Sequence, residues 1–213
     1  SHECMKRITV DEMEEAVARI LERPSQRKER SPGAEALKYE AGKMLVINLG
    51  GIGDAILSTP ALRALKNSYP AARFYFLGIK RVNEFVKGLS CVDEILNFTI
   101  GISPAALSNN INTLAYLRRQ KIDIAINMRT LVSRMGALKI RMLMASIAPR
   151  ITVGRDTEGL GGFFCIRIPE SLAGDKSELE YDLDAARALG CDILTKEPDI
   201  VIDDDSMNKA GAM

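Results

Sequence analysis

Histidine and tryptophan are almost absent from this sequence of 213 residues, which contains one histidine, His2, and no tryptophan. Cys–His and Ser–His–Asp catalysis both need an imidazole beside the nucleophile, and a residue so near one end of the chain is poorly placed to supply it. The cysteines are few, and none forms a C-x-x-C pair. We therefore expect no histidine-assisted nucleophile and no metal site, and we interpret the cysteines as reduced packing residues. The cysteines are Cys4, Cys91, Cys165 and Cys191.

Strong charge bias and long apolar runs are also missing. The formal net charge is +1, so no overall field favours a nucleic-acid partner. No apolar run reaches the ~18 residues of a membrane-spanning helix, and the first residues show no secretion signal. With 46% apolar and 27% charged residues, the composition is that of a globular protein, for which we expect a cytoplasmic location.

The most informative segment that is present covers residues 44–54. An apolar run, Met-Leu-Val-Ile-Asn-Leu, leads into a glycine-rich turn that ends on an acid. This order predicts a buried parallel strand, a tight loop and the start of a helix, which is the junction where open α/β sheets bind ligands. The residues that we expect to bind substrate in this loop are Gly50, Gly51, Ile52 and Gly53.

The acid that ends the loop, Asp54, is the candidate catalytic residue. The first N–H groups of a helix carry partial positive charge and commonly bind phosphate, but the Asp54 carboxylate already stands there and would repel a second anion. A carboxylate that faces the crevice can accept a proton from a substrate hydroxyl, as a general base does. Because aspartate is also a preferred N-cap residue, a purely structural role stays open at this point.

The standard nucleotide-binding motifs fit this loop poorly. The dinucleotide fingerprint G-x-G-x-x-G lacks its third glycine, because Ile56 stands in that position, and the second strand is followed by Lys80 and Arg81 where an acid is required. A P-loop would need a lysine near the position of Asp54. Both motifs are therefore weak matches.

The pattern along the chain alternates between strands and helices, which predicts a Rossmann-like, doubly wound parallel sheet of the α/β class. Pro60 is expected to kink the first helix or to restart it. The predicted strands are 44–49, 73–78, 94–98, 122–127 and 150–153. The helix after the first strand is expected to end near residue 68, and the later helices are expected over 82–89, 103–120, 131–145 and 178–189.

Three regions are expected in the domain organisation. Residues 1–42 combine a helix over 9–22 with a polar linker, residues 43–195 form the Rossmann-like domain, and residues 196–213 begin an inter-domain connection or a second domain. The acidic run 203–205 could hold a metal with a nucleotide sugar, although a solvated acidic turn is the simpler interpretation.

Arginines gather in the second half of the predicted domain. Arg129 falls just past the fourth strand, on the ligand side of the sheet, and Arg134 and Arg141 share one stripe of the next helix. Arg150 and Arg155 flank the fifth strand. Arginine suits phosphate or carboxylate recognition, so we expect Arg129 and Arg134 to bind substrate, with a solvated helix face as the alternative for Arg134.

Several motifs together resemble the ADP-heptose:lipopolysaccharide heptosyltransferase family, glycosyltransferase family 9, over roughly residues 43–192. The first motif is the most specific, and the later ones follow in the family's order. They are 46–54 (VINLGGIGD), 59–66 (TPALRALK), 69–70 (YP), 92–95 (VDEI), 123–127 (DIAIN) and 149–154 (PRITVG), together with Glu178 and the helix over 182–190.

The resemblance implies an inverting, metal-independent enzyme of the GT-B fold, with two Rossmann-like domains and no cofactor. The N-terminal half would hold the lipopolysaccharide core acceptor, the C-terminal half the ADP-activated sugar, and Asp54 would be the base. A lipid-linked acceptor also implies peripheral contact with the inner face of the inner membrane. This chain would correspond to the N-terminal half of the GT-B fold.

One departure limits this resemblance. The family's donor-side signature Asp-Thr-Gly-x-x-His has no match here, since the only histidine is His2. We therefore expect an acceptor-side domain that is inactive without a donor domain. Two alternatives stay open: a stand-alone, non-catalytic binding module for an anionic glycolipid or a protein partner, and a nucleotide-binding Rossmann oxidoreductase.

Overall fold

The computed structural model of the protein describes residues 41–101 and 103–200. These residues form one parallel sheet with helices on both faces. The strands are β1 (Lys43–Asn48), β2 (Arg73–Gly78), β3 (Glu94–Asn97), β4 (Ile124–Asn127), β5 (Ile151–Thr157) and β6 (Ile166–Glu170). The helices are α1 (Ile52–Ser68), α2 (Lys80–Val86), α3 (Pro104–Gln120), α4 (Arg134–Ile147) and α5 (Glu178–Ala188).

The order of the strands creates the crevice in which the candidate site lies. The sheet runs β3-β2-β1-β4-β5-β6, and every pair is parallel. From β1 the chain first winds outward to β3 and then returns to β4, so β1 and β4 are the neighbours at which the winding reverses. Ligands of such sheets bind outside the carboxyl ends of the strands at this point. The predicted Rossmann-like, doubly wound class is therefore confirmed.

The central strands are apolar along their whole length because helices cover both of their faces. On one face, Val46, Phe76 and Ile126 pack with α1, α2 and α5. On the other face, Leu45 and Ala125 pack with α3 and α4. Side chains that alternate along one strand thus enter two different cores, which fixes the register of the sheet.

Strand β6 was not predicted from the sequence. It lies at one edge of the sheet and pairs only with β5, and Pro169 weakens its strand signal because proline cannot donate to a ladder. An edge strand tolerates the missing hydrogen bond because it has a partner strand on one side only. The alternation of Ile166, Ile168 and Glu170, which face inward, was the signal that could have revealed it.

Helix α1 runs through Pro60 without restarting. Proline has no N–H to donate to the carbonyl of Ile56, and the hydroxyl of Thr59 donates to that oxygen instead, at 2.8 Å. The expectation that Pro60 could restart the helix is therefore wrong, because a neighbouring side chain satisfies the carbonyl that proline leaves.

The predicted helix over 9–22, nearly all of the predicted linker and the acidic run 203–205 lie outside the described residues. The boundaries proposed for the three regions stay predictions. Among the helices of residues 41–101 and 103–200, none combines the length and the apolar character that crossing a bilayer requires.

Candidate active site

The turn after β1 is held by a fully buried asparagine. Asn48 Oδ1 accepts the Gly50 N–H at 3.0 Å, and its Nδ2 donates to Ser58 Oγ in α1 at 3.0 Å. One side chain thus links the strand end, the glycine loop and the helix. This geometry fixes where α1 begins.

Asp54 is the third residue of α1, three positions after the helix cap. Gly51 is the N-cap of α1, and Asp54 Oδ2 accepts the Gly51 N–H at 2.8 Å, as in the acidic half of a capping box. The interpretation of Asp54 as the N-cap itself is therefore wrong by three positions. Its side chain is 35% exposed at the carboxyl end of the sheet.

Arg129 reaches Asp54 from the loop after β4. Its Nη1 forms an ion pair with Asp54 Oδ2, and the arginine side chain is 41% exposed. Both contacts of the carboxylate use Oδ2, and Oδ1 accepts no hydrogen bond from the part of the chain that the structure describes. The structure thus brings together two candidate residues from neighbouring strands and leaves one carboxylate oxygen for a ligand.

The glycines of the loop differ in what they permit. A Cβ on Gly50 would overlap the Arg129 guanidinium and the Asp54 carboxylate, whereas a Cβ on Gly53 would meet nothing within 4 Å. A side chain at Gly50 would therefore force the Asp54–Arg129 ion pair to rearrange, whereas one at Gly53 would not. Ile52, the first residue of α1, is 37% exposed.

Arg134 occupies a different position from Arg129. It is the first residue of α4, next to the cap Ser133, and its side chain is exposed. Within the described part of the chain it forms no ion pair, and it does not contact Asp54. Its role in binding substrate stays a prediction.

Arg155 was expected to flank the fifth strand, and the structure places it inside that strand. Strand β5 continues to Thr157, and the Arg155 side chain is 1% exposed. Its Nη1 lies 3.0 Å from Glu170 Oε1 and 2.6 Å from Glu178 Oε2, and its Nη2 lies 2.6 Å from Asp182 Oδ1. We call Arg155, Glu170, Glu178 and Asp182 the buried charge cluster, in which Glu178 lies at the surface with 46% of its side chain exposed.

The charges of this cluster do not balance. Three carboxylates share one guanidinium, and Glu170 and Asp182 are each 3% exposed at the side chain. Burial raises the pKa of Asp182 to about 7, even though Arg155 opposes the shift, and the charges of Glu178 and Asp54 add to it. Burial alone would lower the pKa of Arg155, but Asp182 and Glu178 raise it above its ordinary value.

The sequence did carry signals for the cluster. Val153, Arg155 and Thr157 alternate along one strand, so all three face the same side of the sheet. Glu178 and Asp182 are four residues apart and share one face of α5. What could not be deduced is that these two faces meet each other and Glu170.

The cluster also reaches the loop that carries Arg129. The Thr130 hydroxyl accepts from Arg155 Nη1 at 2.9 Å and donates to Glu170 Oε1 at 2.9 Å. The Leu131 N–H donates to Thr157 Oγ1 at 3.0 Å. No pattern in the sequence predicted this connection.

Known proteins were compared with this chain by sequence and by structure, and only the structures gave matches. The sequence matches no protein-family model and no curated protein. The structure is similar to a family 9 glycosyltransferase from Veillonella parvula, with 18% identity and a TM-score of 0.60, over 80% of this chain and 47% of that one.

Two E. coli proteins give similar values. The heptosyltransferase WaaC, solved with ADP, has 15% identity and a TM-score of 0.59 over 74% of this chain and 50% of its own. ADP-heptose lps heptosyltransferase II has 16% identity and a TM-score of 0.58 over 80% of this chain and 50% of its own. This chain therefore spans about half the length of these proteins and shares the fold of that half, which confirms the resemblance to glycosyltransferase family 9 at the level of fold.

Proposed function

We propose that this chain is the acceptor-side domain of an inverting, metal-independent glycosyltransferase that moves a heptose-like sugar from an ADP-sugar to a lipopolysaccharide core acceptor. The observation that carries the proposal is the Asp54 carboxylate, which stands where the winding of the sheet reverses and keeps one oxygen without a partner in the described domain. The similarity in fold to heptosyltransferases supports it.

The geometry of the carboxylate suits a general base. Gly51 and Arg129 hold Oδ2, so Oδ1 is the oxygen that takes the proton from an acceptor hydroxyl. The hydroxyl oxygen then attacks the anomeric carbon, and the bond from that carbon to the ADP oxygen breaks. Attack from the face opposite the leaving nucleotide inverts the anomeric configuration.

Arg129 has a second task in this mechanism. A guanidinium carries five N–H donors, and the ion pair with Asp54 engages Nη1 alone. The remaining donors, together with the exposed Arg134, are suited to the anionic groups of a lipopolysaccharide core. Asp54 and Arg129 would then orient the acceptor hydroxyl between them.

A nucleotide-sugar donor and a membrane surface complete the proposal. The donor would be held by a second domain, since the chain spans about half the length of the solved structures that it resembles.

Two exposed apolar side chains lie beside Arg134. Val132 and Met135, which are 71% and 46% exposed, support peripheral contact with the inner face of the inner membrane, where a lipid-linked acceptor is presented.

The test is Asp54→Asn in the full-length native protein, assayed for transfer from ADP-heptose to core oligosaccharide. Asparagine keeps the size of the side chain and an oxygen for the Gly51 N–H but cannot accept the proton, so transfer should fall by about 10²-fold or more. Asp192→Asn, which removes the same charge from an exposed site beyond α5, is the matched control and should retain transfer. Normal turnover by Asp54→Asn would exclude Asp54 as the base.

Two further observations in the same assay bear on the finer parts of the proposal. Transfer should persist in excess EDTA, and the product should have the inverted anomeric configuration. Binding of core oligosaccharide by the native protein without any transfer would instead favour a non-catalytic binding module.

A further inference from the structure

We propose that Thr130 and Arg155 are positioning residues, and that the buried charge cluster holds the loop of residues 127–131 so that Arg129 meets Asp54. The catalytic consequence rests on the proposed function, whereas the positioning itself does not. The sequence of contacts runs from Arg155 to Thr130, along one peptide unit to Arg129, and from there to Asp54.

The loop is anchored at three successive residues. Asn127 Nδ2 donates to the carbonyl oxygen of Arg129 at 2.7 Å. The hydroxyl of Thr130 lies between Arg155 and Glu170, and the Leu131 N–H is bound by Thr157. The backbone that carries Arg129 is therefore fixed on both sides, which leaves only the arginine side chain free to adjust.

Stability alone does not account for the buried charge cluster. Removing charges from water costs free energy that their attraction often fails to recover, and apolar side chains of equal volume are frequently as stabilising. Two carboxyl groups of this cluster, Glu170 and Asp182, are buried beside a single guanidinium, while Glu178 is 46% exposed at the side chain. Hydrogen bonds have fixed directions, so this cluster can define the position of the Thr130 hydroxyl, whereas an apolar core could not.

The place of the cluster agrees with this role. Arg155, Thr157 and Glu170 lie at the carboxyl ends of β5 and β6, on the same edge of the sheet as Asp54 and Arg129. The charge of Asp54 also contributes to the raised pKa of Asp182, so the two groups are close enough to interact. The cluster therefore lies at the same edge of the sheet as the candidate site, where it can hold the loop that carries Arg129.

A structural test uses isotope-labelled samples of the 213-residue chain. Thr130→Val keeps the shape of the side chain and removes its hydroxyl, Thr130→Ser keeps the hydroxyl, and Thr113→Val removes a hydroxyl from α3 as the control. The NMR signals to follow are the Gly51 amide, which binds Asp54, and the Arg129 Nε–H. Thr130→Ala, which removes the hydroxyl with less bulk, repeats the comparison where valine impairs folding.

Thr130→Val and Thr130→Ala should shift or broaden both signals, while Thr130→Ser and Thr113→Val should leave them close to those of the wild type. A purely structural role would lower the melting temperature without a selective change at Gly51 and Arg129. Unchanged signals in a folded hydroxyl-free variant would overturn the proposal, and so would equal changes in Thr130→Ser.

Activity of the full-length native protein supplies the second readout. Thr130→Val should lower kcat about tenfold or more, because small misplacements of catalytic groups are costly, with the KM for the nucleotide sugar unchanged and with kcat restored in Thr130→Ser. If the wild type shows no transfer, the proposed function fails, and if Asp54→Asn keeps its turnover, only the role of Asp54 as the base fails. In both cases the NMR comparison still decides the positioning. If Asp54→Asn is inactive but Thr130→Val has wild-type kcat and NMR signals, only the positioning fails.

Discussion

At the scale of single residues, Asp54 makes one contact more than an ordinary helix cap. The hydrogen bond from Gly51 is what a capping residue would make. The ion pair with Arg129 comes from a different loop and adds nothing to the cap. The capping interpretation thus explains one of the two contacts of Asp54, and the proposed function accounts for the other.

Asp54 and Arg129 could be placed at the same edge of the sheet from the sequence, because each follows a recognisable strand and parallel strands end together. Their direct contact could not be predicted, since it depends on β1 and β4 being neighbours. Arg155 was expected beside the fifth strand and lies inside it, and the reason is related. A charged residue inside a strand is explained only by its partners, and Glu170 and Asp182 come from elements distant in sequence.

A comparison of two glycines tests the Asp54–Arg129 pair without changing either residue. A methyl group at Gly50 would overlap both side chains, so Gly50→Ala should separate them and reduce transfer by the full-length protein about tenfold or more. Gly53→Ala adds the same methyl group to open space in the first turn of α1, where alanine favours the helix by about 0.5–1 kcal/mol.

Transfer rates and melting temperatures of the two variants are the measurements. Gly53→Ala should be at least as stable as the wild type, and because its methyl group leaves the ion pair in place, its effect on transfer should be much smaller than that of Gly50→Ala. Equal activity of Gly50→Ala and Gly53→Ala would show that the ion pair is not needed for transfer.

At the scale of elements, β5, β6 and α5 form the part of the domain that the sequence described least well. The apolar run of β5 ends at Val153, so the strand was expected to stop there, yet pairing with β6 extends it to Thr157. The inner strands and their helices were predicted within a few residues, because an unbroken apolar pattern marks them. At the sheet edge, inward-facing polar residues replace that pattern.

The packing of α5 on these strands makes stability depend on pH through Asp182. Its pKa is about 7 in the folded protein against 3.8 for a free side chain, so between these values the folded protein keeps a proton that the unfolded chain has lost. The stabilisation that this proton provides is lost as pH rises. The free energy of unfolding of the wild type, relative to Asp182→Asn, should therefore decrease from about pH 4 to about pH 7 and then level off.

Urea denaturation at several pH values checks this prediction, and α5 provides a control of opposite sign. Burial would raise the pKa of Asp184, but hydrogen bonds from Lys176 and Arg187 lower it. The wild type should thus lose stability relative to Asp184→Asn as pH falls toward 3. A difference between the wild type and Asp182→Asn that is constant or increases with pH would contradict the expected role of Asp182.

At the scale of the whole molecule, the arrangement of the sheet explains why the candidate residues meet. Reversal of the winding between β1 and β4 opens the crevice. The first turn of α1, which follows β1, supplies Asp54, and the loop after β4 supplies Arg129. The same fold occurs in about half of each heptosyltransferase compared. The fold class could be predicted from the alternation of strands and helices. The identities of the sugar and the acceptor could not, because they depend on contacts that no pattern in the sequence specifies.

The central claim, that this domain is the acceptor side of a glycosyltransferase, is tested most directly by mapping where ligands bind. Amide NMR spectra of the 213-residue chain would be recorded with deacylated lipopolysaccharide core oligosaccharide and, separately, with ADP. The oligosaccharide should shift the amides of residues 50–54 and 128–134, an effect that Arg129→Met should weaken, while ADP leaves these amides unchanged. Shifts of these loops by ADP, or none by the oligosaccharide, would contradict the assignment.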